Sequence, residues 1–96
     1  MPHYDLASIK ATFCTVERLR LTKMARECVD RLGLSLRRVV DVIQGMSRLQ
    51  FYKSMTSNAD PTVWQDVYHV PWQHVVLYVK FTTDASGYLV ISFKER

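Results

Sequence analysis

Near residue 49 the spacing of apolar side chains changes from every third or fourth position to every second, and this switch constrains the fold most. Upstream of it the period is that of helices, about 3.6 residues. Leu6, Ile9 and Phe13 follow Asp5, a candidate N-cap, and predict a short first helix ending near Cys14. Arg18 to Leu21 reads as a short extended link. Thr22 then caps a second helix whose apolar side is Met24, Ala25, Cys28, Val29 and Leu32, with Gly33 as its stop. Ser35 restarts a third, with Leu36, Val39, Val40 and Ile43 at helical spacing and Gly45 at its end.

Downstream, alternation takes over. Val75, Leu77, Val79 and Phe81 form one face of a strand over 75–82, and Tyr78, Lys80 and Thr82 form the other. Leu89, Ile91 and Phe93 are the inward series of a last strand, opposed by Tyr88, Val90, Ser92 and Lys94. Two more strands are expected over 49–55 and 63–70, separated by the turn residues Ser57, Asn58, Asp60 and Pro61. The predicted fold class is α+β: N-terminal helices, over about residues 1–46, packed on one face of an antiparallel sheet formed by about residues 47–96. Ninety-six residues, 48% of them hydrophobic, suffice for one core and one domain, 1–96.

Charge narrows the partners. The formal net charge is +4, and residues 1–50 hold nine Lys/Arg against five Asp/Glu, whereas residues 51–96 hold four of each. Such an excess suits either a solvated helical face or contact with RNA or an acidic protein. Cys14 and Cys28 lack the paired spacing of a metal or redox site, so no metal and no cofactor is expected. His3, Asp5, Ser8 and Lys10 interrupt the apolar residues of the N-terminus, leaving no signal-like run, and no later segment reaches membrane-spanning length. The expectation is a cytoplasmic protein with no membrane partner.

Parity brings reactive groups together. If Ala85, Ser86 and Gly87 form a three-residue hairpin loop with Gly87 left-handed, Asp84 faces Tyr88. Tyr78 then lies opposite Lys94, and Lys80 opposite Ser92, all on the side away from Leu77 and Val79. Opposed side chains have Cβ atoms about 5 Å apart, close enough for a phenol and an ammonium to reach one phosphodiester. Tyrosine and lysine are also ordinary occupants of a solvent-facing sheet, and parity alone does not choose.

The runs Phe51-Tyr52-Lys53-Ser54-Met55-Thr56, Trp64-Gln65-Asp66-Val67-Tyr68, Tyr78-Val79-Lys80 and Ser92-Phe93-Lys94-Glu95 add a second line. In order and spacing they resemble the MqsR family of toxin–antitoxin mRNA interferases, over nearly all of residues 51–96. Pro2-His3, Leu6, Ile9-Lys10 and Leu32-Gly33-Leu34 echo it upstream. The resemblance implies a RelE-like fold, endoribonuclease activity on single-stranded messenger RNA, growth arrest, and neutralisation by an MqsA-like antitoxin. That antitoxin would carry the zinc and the DNA-binding domain, so any DNA contact of this chain would be indirect. The alternative is a non-catalytic RNA-binding or inactivated interaction module.

By the same resemblance the catalytic candidates are Lys53, Gln65, Tyr78 and Lys94, with Lys80, Ser92 and Tyr68 as substrate-binding candidates. Their chemistry suits RNA cleavage without a metal. The 2′-hydroxyl must lose a proton, the phosphorane charge must be stabilised, and the 5′-oxygen must gain a proton. Lys53 and Lys94 would hold the scissile phosphate, Gln65 would orient a phosphate oxygen or base edge, and Tyr78 would act as acid or stack on a base. A base is the missing piece, because a free lysine with pKa about 10.4 is protonated at neutral pH unless a second ammonium crowds it. His69 and His74, flanking Pro71-Trp72 in an expected loop over 70–74, read as packing rather than catalytic groups. Trp64 and Tyr68 share a parity that favours packing over stacking on a base.

Overall fold

The computed structural model describes residues 2–57 and 60–95; Asn58, one of the expected turn residues, lies outside them. Helices α1 (Leu6–Thr12), α2 (Lys23–Leu32) and α3 (Leu36–Gln44) precede strands β1 (Phe51–Thr56), β2 (Trp64–Trp72), β3 (Val75–Thr83) and β4 (Leu89–Glu95). Each helix starts where a side chain satisfies a free backbone N–H. Asp5 accepts from the Ser8 amide at 3.0 Å, Thr22 from that of Ala25 at 3.2 Å, and Ser35 from that of Arg38 at 3.1 Å. Gly33 ends α2 at φ 67°, where a Cβ would be strained.

The four strands pair antiparallel in the order β1-β2-β3-β4. Leu6, Ile9, Phe13, Ala25, Cys28, Val39 and Ile43 pack against Tyr68, Leu77, Val79, Phe81, Ile91 and Phe93, so the helices cover one face of the sheet. This is the expected α+β arrangement. Burying side chains of this size stabilises by about 1.5–3 kcal/mol each before ordering costs. At the outer edge of β4, the Ile91 amide donates to the Arg20 carbonyl at 2.8 Å and the Thr22 amide donates to the Ile91 carbonyl at 2.9 Å. A short parallel bridge, Leu21 to Ile91, thus shields that edge.

Several expectations need correction. Leu49 is 95% exposed and belongs to a 3-10 turn, Arg48–Gln50, rather than to β1. The link before α2 contains a 3-10 turn, Val16–Arg18, before the extended bridge to β4. Met24 is exposed because it lies roughly 90° around α2 from the centre of the buried stripe. Leu36 is exposed in the first turn of α3, at the rim of the core. The expected loop over 70–74 shrinks to Gln73 and His74, because β2 continues through Pro71 to Trp72. Pro71 is tolerated there since β1 pairs no further than Tyr68, leaving β2 with a free side.

Asp66 is fully buried. It accepts from the His3 amide at 3.0 Å, the Tyr4 amide at 2.7 Å and the Ser54 hydroxyl at 2.7 Å. Three donors replace the lost water, and the N-terminal segment is thereby fastened to β1 and β2. Tyr4 adds a hydrogen bond from its hydroxyl to the Trp64 carbonyl at 2.8 Å, while His3 stacks on Trp64.

Candidate active site

The helix-free face is built by the alternate residues of the same strands. The hairpin between β3 and β4 sets its first part: Gly87 sits at φ 83°, its amide donates to the Asp84 carbonyl at 2.9 Å, and the Asp84 amide donates to the Tyr88 carbonyl at 2.8 Å. That three-residue loop fixes Tyr78 opposite Lys94 and Lys80 opposite Ser92. Pairing of β3 with β2 places His69 opposite Tyr78 and Val67 opposite Lys80. Pairing of β2 with β1 places Lys53 opposite Val67 and Met55 opposite Gln65. Lys53, Val67, Lys80 and Ser92 therefore form one row across all four strands.

Tyr52, Lys53, Met55, Val67, Tyr78, Lys80 and Lys94 line a shallow cavity of about 250 Å³. Val67 is only 4% exposed, although it lies on the helix-free face, and supplies an apolar floor beneath the lysine stems. The ammonium of Lys94 stands 5.7 Å from the centre of the Tyr78 ring, and that of Lys53 stands 5.3 Å from the centre of the Tyr52 ring. Three rings adjoin them: Tyr52 stacks on His69 at 4.2 Å, and His69 meets Tyr78 tilted by 37° at 4.7 Å between centres. The His69 Nε2 is buried and has no hydrogen-bond partner among the described residues.

Burial pushes the Lys80 amine below the ordinary lysine range, and the charges of Lys94 and Lys53 push it further in the same direction. Taking an ammonium partly out of water and placing two others beside it both disfavour its charged form. The cavity thus places Lys80, whose amine holds its proton less tightly than an ordinary lysine, with Lys53 and Lys94.

Of the residues expected at a site, Lys53, Tyr78, Lys80 and Lys94 meet at the cavity. Gln65 and Ser92 share its face but do not line it. Gln65 stands two residues along β2 from Val67, and Ser92 lies beside Lys80 on β4. Tyr68 does not belong here. It is fully buried on the helix-covered face, its hydroxyl lacks a partner among the described residues, and burial, followed by the Asp66 charge, raises its pKa. Substrate cannot reach it. Its separation from Gln65, three residues, already forbids both from facing the same side of one regular strand. The same rule would have found Met55, two residues from Lys53, and His69, four from Gln65. Tyr52 was beyond such a rule, because the register of β1 shifts between Phe51 and Lys53.

The helical cations Arg18, Arg20, Lys23, Arg26, Arg31, Arg37, Arg38 and Arg48 are all exposed and line none of this cavity. Arg20 lies over the Tyr88 ring at 4.3 Å, and Arg31 stands 3.8 Å from Glu95. Among the described residues no group of three or more His, Cys, Asp or Glu could hold a metal ion. The cavity instead offers hydrogen-bond donors and positive charge, which suit an anionic ester. Cys28 is buried, and Cys14 is exposed.

Comparison with known proteins bears on this face. The family model described as "Motility quorum-sensing regulator, toxin of MqsA" matches residues 1–95. The mRNA interferase toxin MqsR of Escherichia coli (strain K12) is 38% identical over 95 residues, covering 99% of this chain and 95% of that protein.

Proposed function

The chain belongs to the MqsR toxin family and is the mRNA-cleaving toxin of a toxin–antitoxin pair, and we propose that it cuts single-stranded message at the Lys53–Lys80–Lys94–Tyr78 cavity. Convergence of three amines and a phenol on one open patch carries this assignment. RNA contains its own nucleophile, so the protein need only move two protons and stabilise charge. The neutral amine of Lys80 takes the proton of the 2′-hydroxyl, and O2′ forms a bond to phosphorus. Lys53 and Lys94 donate to the non-bridging oxygens as negative charge builds on the phosphorane. The bond from phosphorus to O5′ then breaks, its electron pair stays on O5′, and the Tyr78 phenol supplies the proton. Products are a 2′,3′-cyclic phosphate and a 5′-hydroxyl; exchange with water returns Lys80 and Tyr78 to their starting states. Gln65, on the same face, orients a phosphate oxygen or base edge, and Ser92 contacts the strand beside Lys80.

The ammonium groups of Lys53 and Lys94 would repel a divalent cation, which favours a metal-independent reaction. A messenger RNA substrate supports a cytoplasmic location; among the described residues no helix is long and apolar enough to cross a membrane. An MqsA-type antitoxin is the protein partner, and contact with DNA passes through it. The test is incubation of purified protein with single-stranded RNA in the presence of a chelator, with the 5′ ends mapped. Fragments bearing 5′-hydroxyl ends are expected. Tyr78→Phe should abolish them, and Lys53→Ala and Lys94→Ala should each cut their yield by about 10²–10³-fold, while the fold persists. Full activity in all three variants would overturn the site, and RNA binding without fragments would overturn the reaction.

A further inference from the structure

Resting on that reading of the cavity, we infer that Tyr52 is the stacking platform for the nucleobase next to the scissile phosphate. The observation behind it is a bulge. Phe51 pairs with Tyr68 on the helix-covered face, yet Lys53 pairs with Val67 on the open face, so the register of β1 slips at Tyr52. In an unbroken strand consecutive residues face opposite ways. Here the extra residue re-aims one side chain, and Tyr52 and Lys53 both serve the open face. Phe51 meanwhile keeps its ring edge-on to Tyr68 at 5.5 Å.

The result is an aromatic ring and an ammonium 5.3 Å apart on one side of an edge strand. That pairing matches a nucleotide, which presents a flat base and an anionic phosphate joined through a sugar. Tyr52 is 55% exposed, while the His69 ring lies nearly parallel behind it, with an interplanar angle of 25°. Tyr78 supports His69 in turn. A platform braced by two further rings is already ordered before RNA arrives, so a base stacks on it with little loss of side-chain freedom. Every base has a π-face, and stacking on tyrosine is a general device for holding single strands.

The test uses a single-stranded RNA oligonucleotide carrying one mapped cleavage site, made with an abasic ribonucleotide on either side of that site. A matching set carries a 2′-deoxyribose at the attacking position, so that it binds without being cut. Cleavage of the all-ribose strand by the wild-type protein reports on the catalytic assignment; affinity for the deoxy set reports on stacking alone. Removing one of the two flanking bases should weaken wild-type binding by about tenfold. Tyr52→Leu should weaken binding of the intact strand by a similar factor and erase the penalty of the missing base. Tyr52→Phe should bind as the wild type does. His69→Ala, which removes the brace, should lie between them, and a thermal melt of each variant confirms folding. Equal sensitivity to the missing base in wild type and Tyr52→Leu would overturn the inference. So would unchanged affinity of Tyr52→Leu for the intact strand, an outcome that would assign the exposed ring to a protein contact.

Discussion

Tyr68 and Tyr78 occupy neighbouring strands of one sheet and have opposite fates. Tyr68, on the covered face, is fully buried among Phe51, Phe81 and the helices; Tyr78, on the open face, borders a cavity beside two lysines. The covered face buries Leu77, Val79, Phe81, Ile91 and Phe93 beside Asp66 and the Tyr68 hydroxyl, and the open face carries Lys53, Lys80 and Lys94. Side-chain chemistry alone therefore does not make a tyrosine an acid or a core filler. The parity of its position in the strand decides what surrounds it, and the surroundings decide which proton it can exchange.

The contrast can be broken from either side. The largest effect is expected from Phe81→Ala, which empties the centre of the covered face and should cost about 3–5 kcal/mol of stability in a denaturant titration. A loss below about 1 kcal/mol would show that this face is not the principal core. Lys94→Ala should do the reverse: cleavage falls by about 10²–10³-fold, as for loss of one charge-stabilising donor, with the thermal midpoint nearly unmoved. Asp66→Ala leaves the His3 and Tyr4 amides without their acceptor and should cost about 2–3 kcal/mol, partly recovered in Asp66→Asn. Faster amide exchange at His3 and Tyr4 would report that loss directly.

A pH profile sharpens the open-face half. With Lys80 as base, kcat/KM rises with pH as its amine loses its proton, through a midpoint below the ordinary lysine value of 10.5. Lys53→Met removes one of the charges that lower it, so the rising limb should move to higher pH by under about one unit, with activity reduced throughout. An unmoved limb would assign the base elsewhere. The smallest effect belongs to Tyr68→Phe. Deleting a buried hydroxyl that has no partner among the described residues should leave stability unchanged or raise it by up to about 1 kcal/mol, without changing cleavage. Tyr78→Phe, the same substitution one strand away, should abolish cleavage.

Charge shows why counting is a poor guide to position. The basic excess lies in residues 1–50, yet its arginines and lysines are spread over the exposed helical half. The cavity draws its three lysines from residues 51–96, where positive and negative charges balance. Spacing was more informative than sum.

Local rules carried the reading far. The caps Asp5, Thr22 and Ser35, the stop at Gly33 and the loop closed by Gly87 depend on neighbours within a few residues, and the structure matches them. The register of Tyr78 with Lys94 followed from that loop. Leu49 was misplaced because a 3-10 turn and a strand start look alike in so short an apolar run. Pro71 suggested a loop because a strand flanked on both sides needs the amide that proline lacks; the early end of β1 removed that need.

The chain by itself thus determined periodicity, helix ends and one hairpin register, all consequences of backbone geometry over a handful of residues. Tertiary structure alone decided that Tyr52 would turn outward at a bulge and that Lys53, from an edge strand, would reach Lys80 and Lys94. It also decided that the Lys80 amine would lose part of its water and gain two cationic neighbours. Those outcomes depend on which strands pair and which face the helices cover, and contacts between distant segments exist only once the whole sheet has closed.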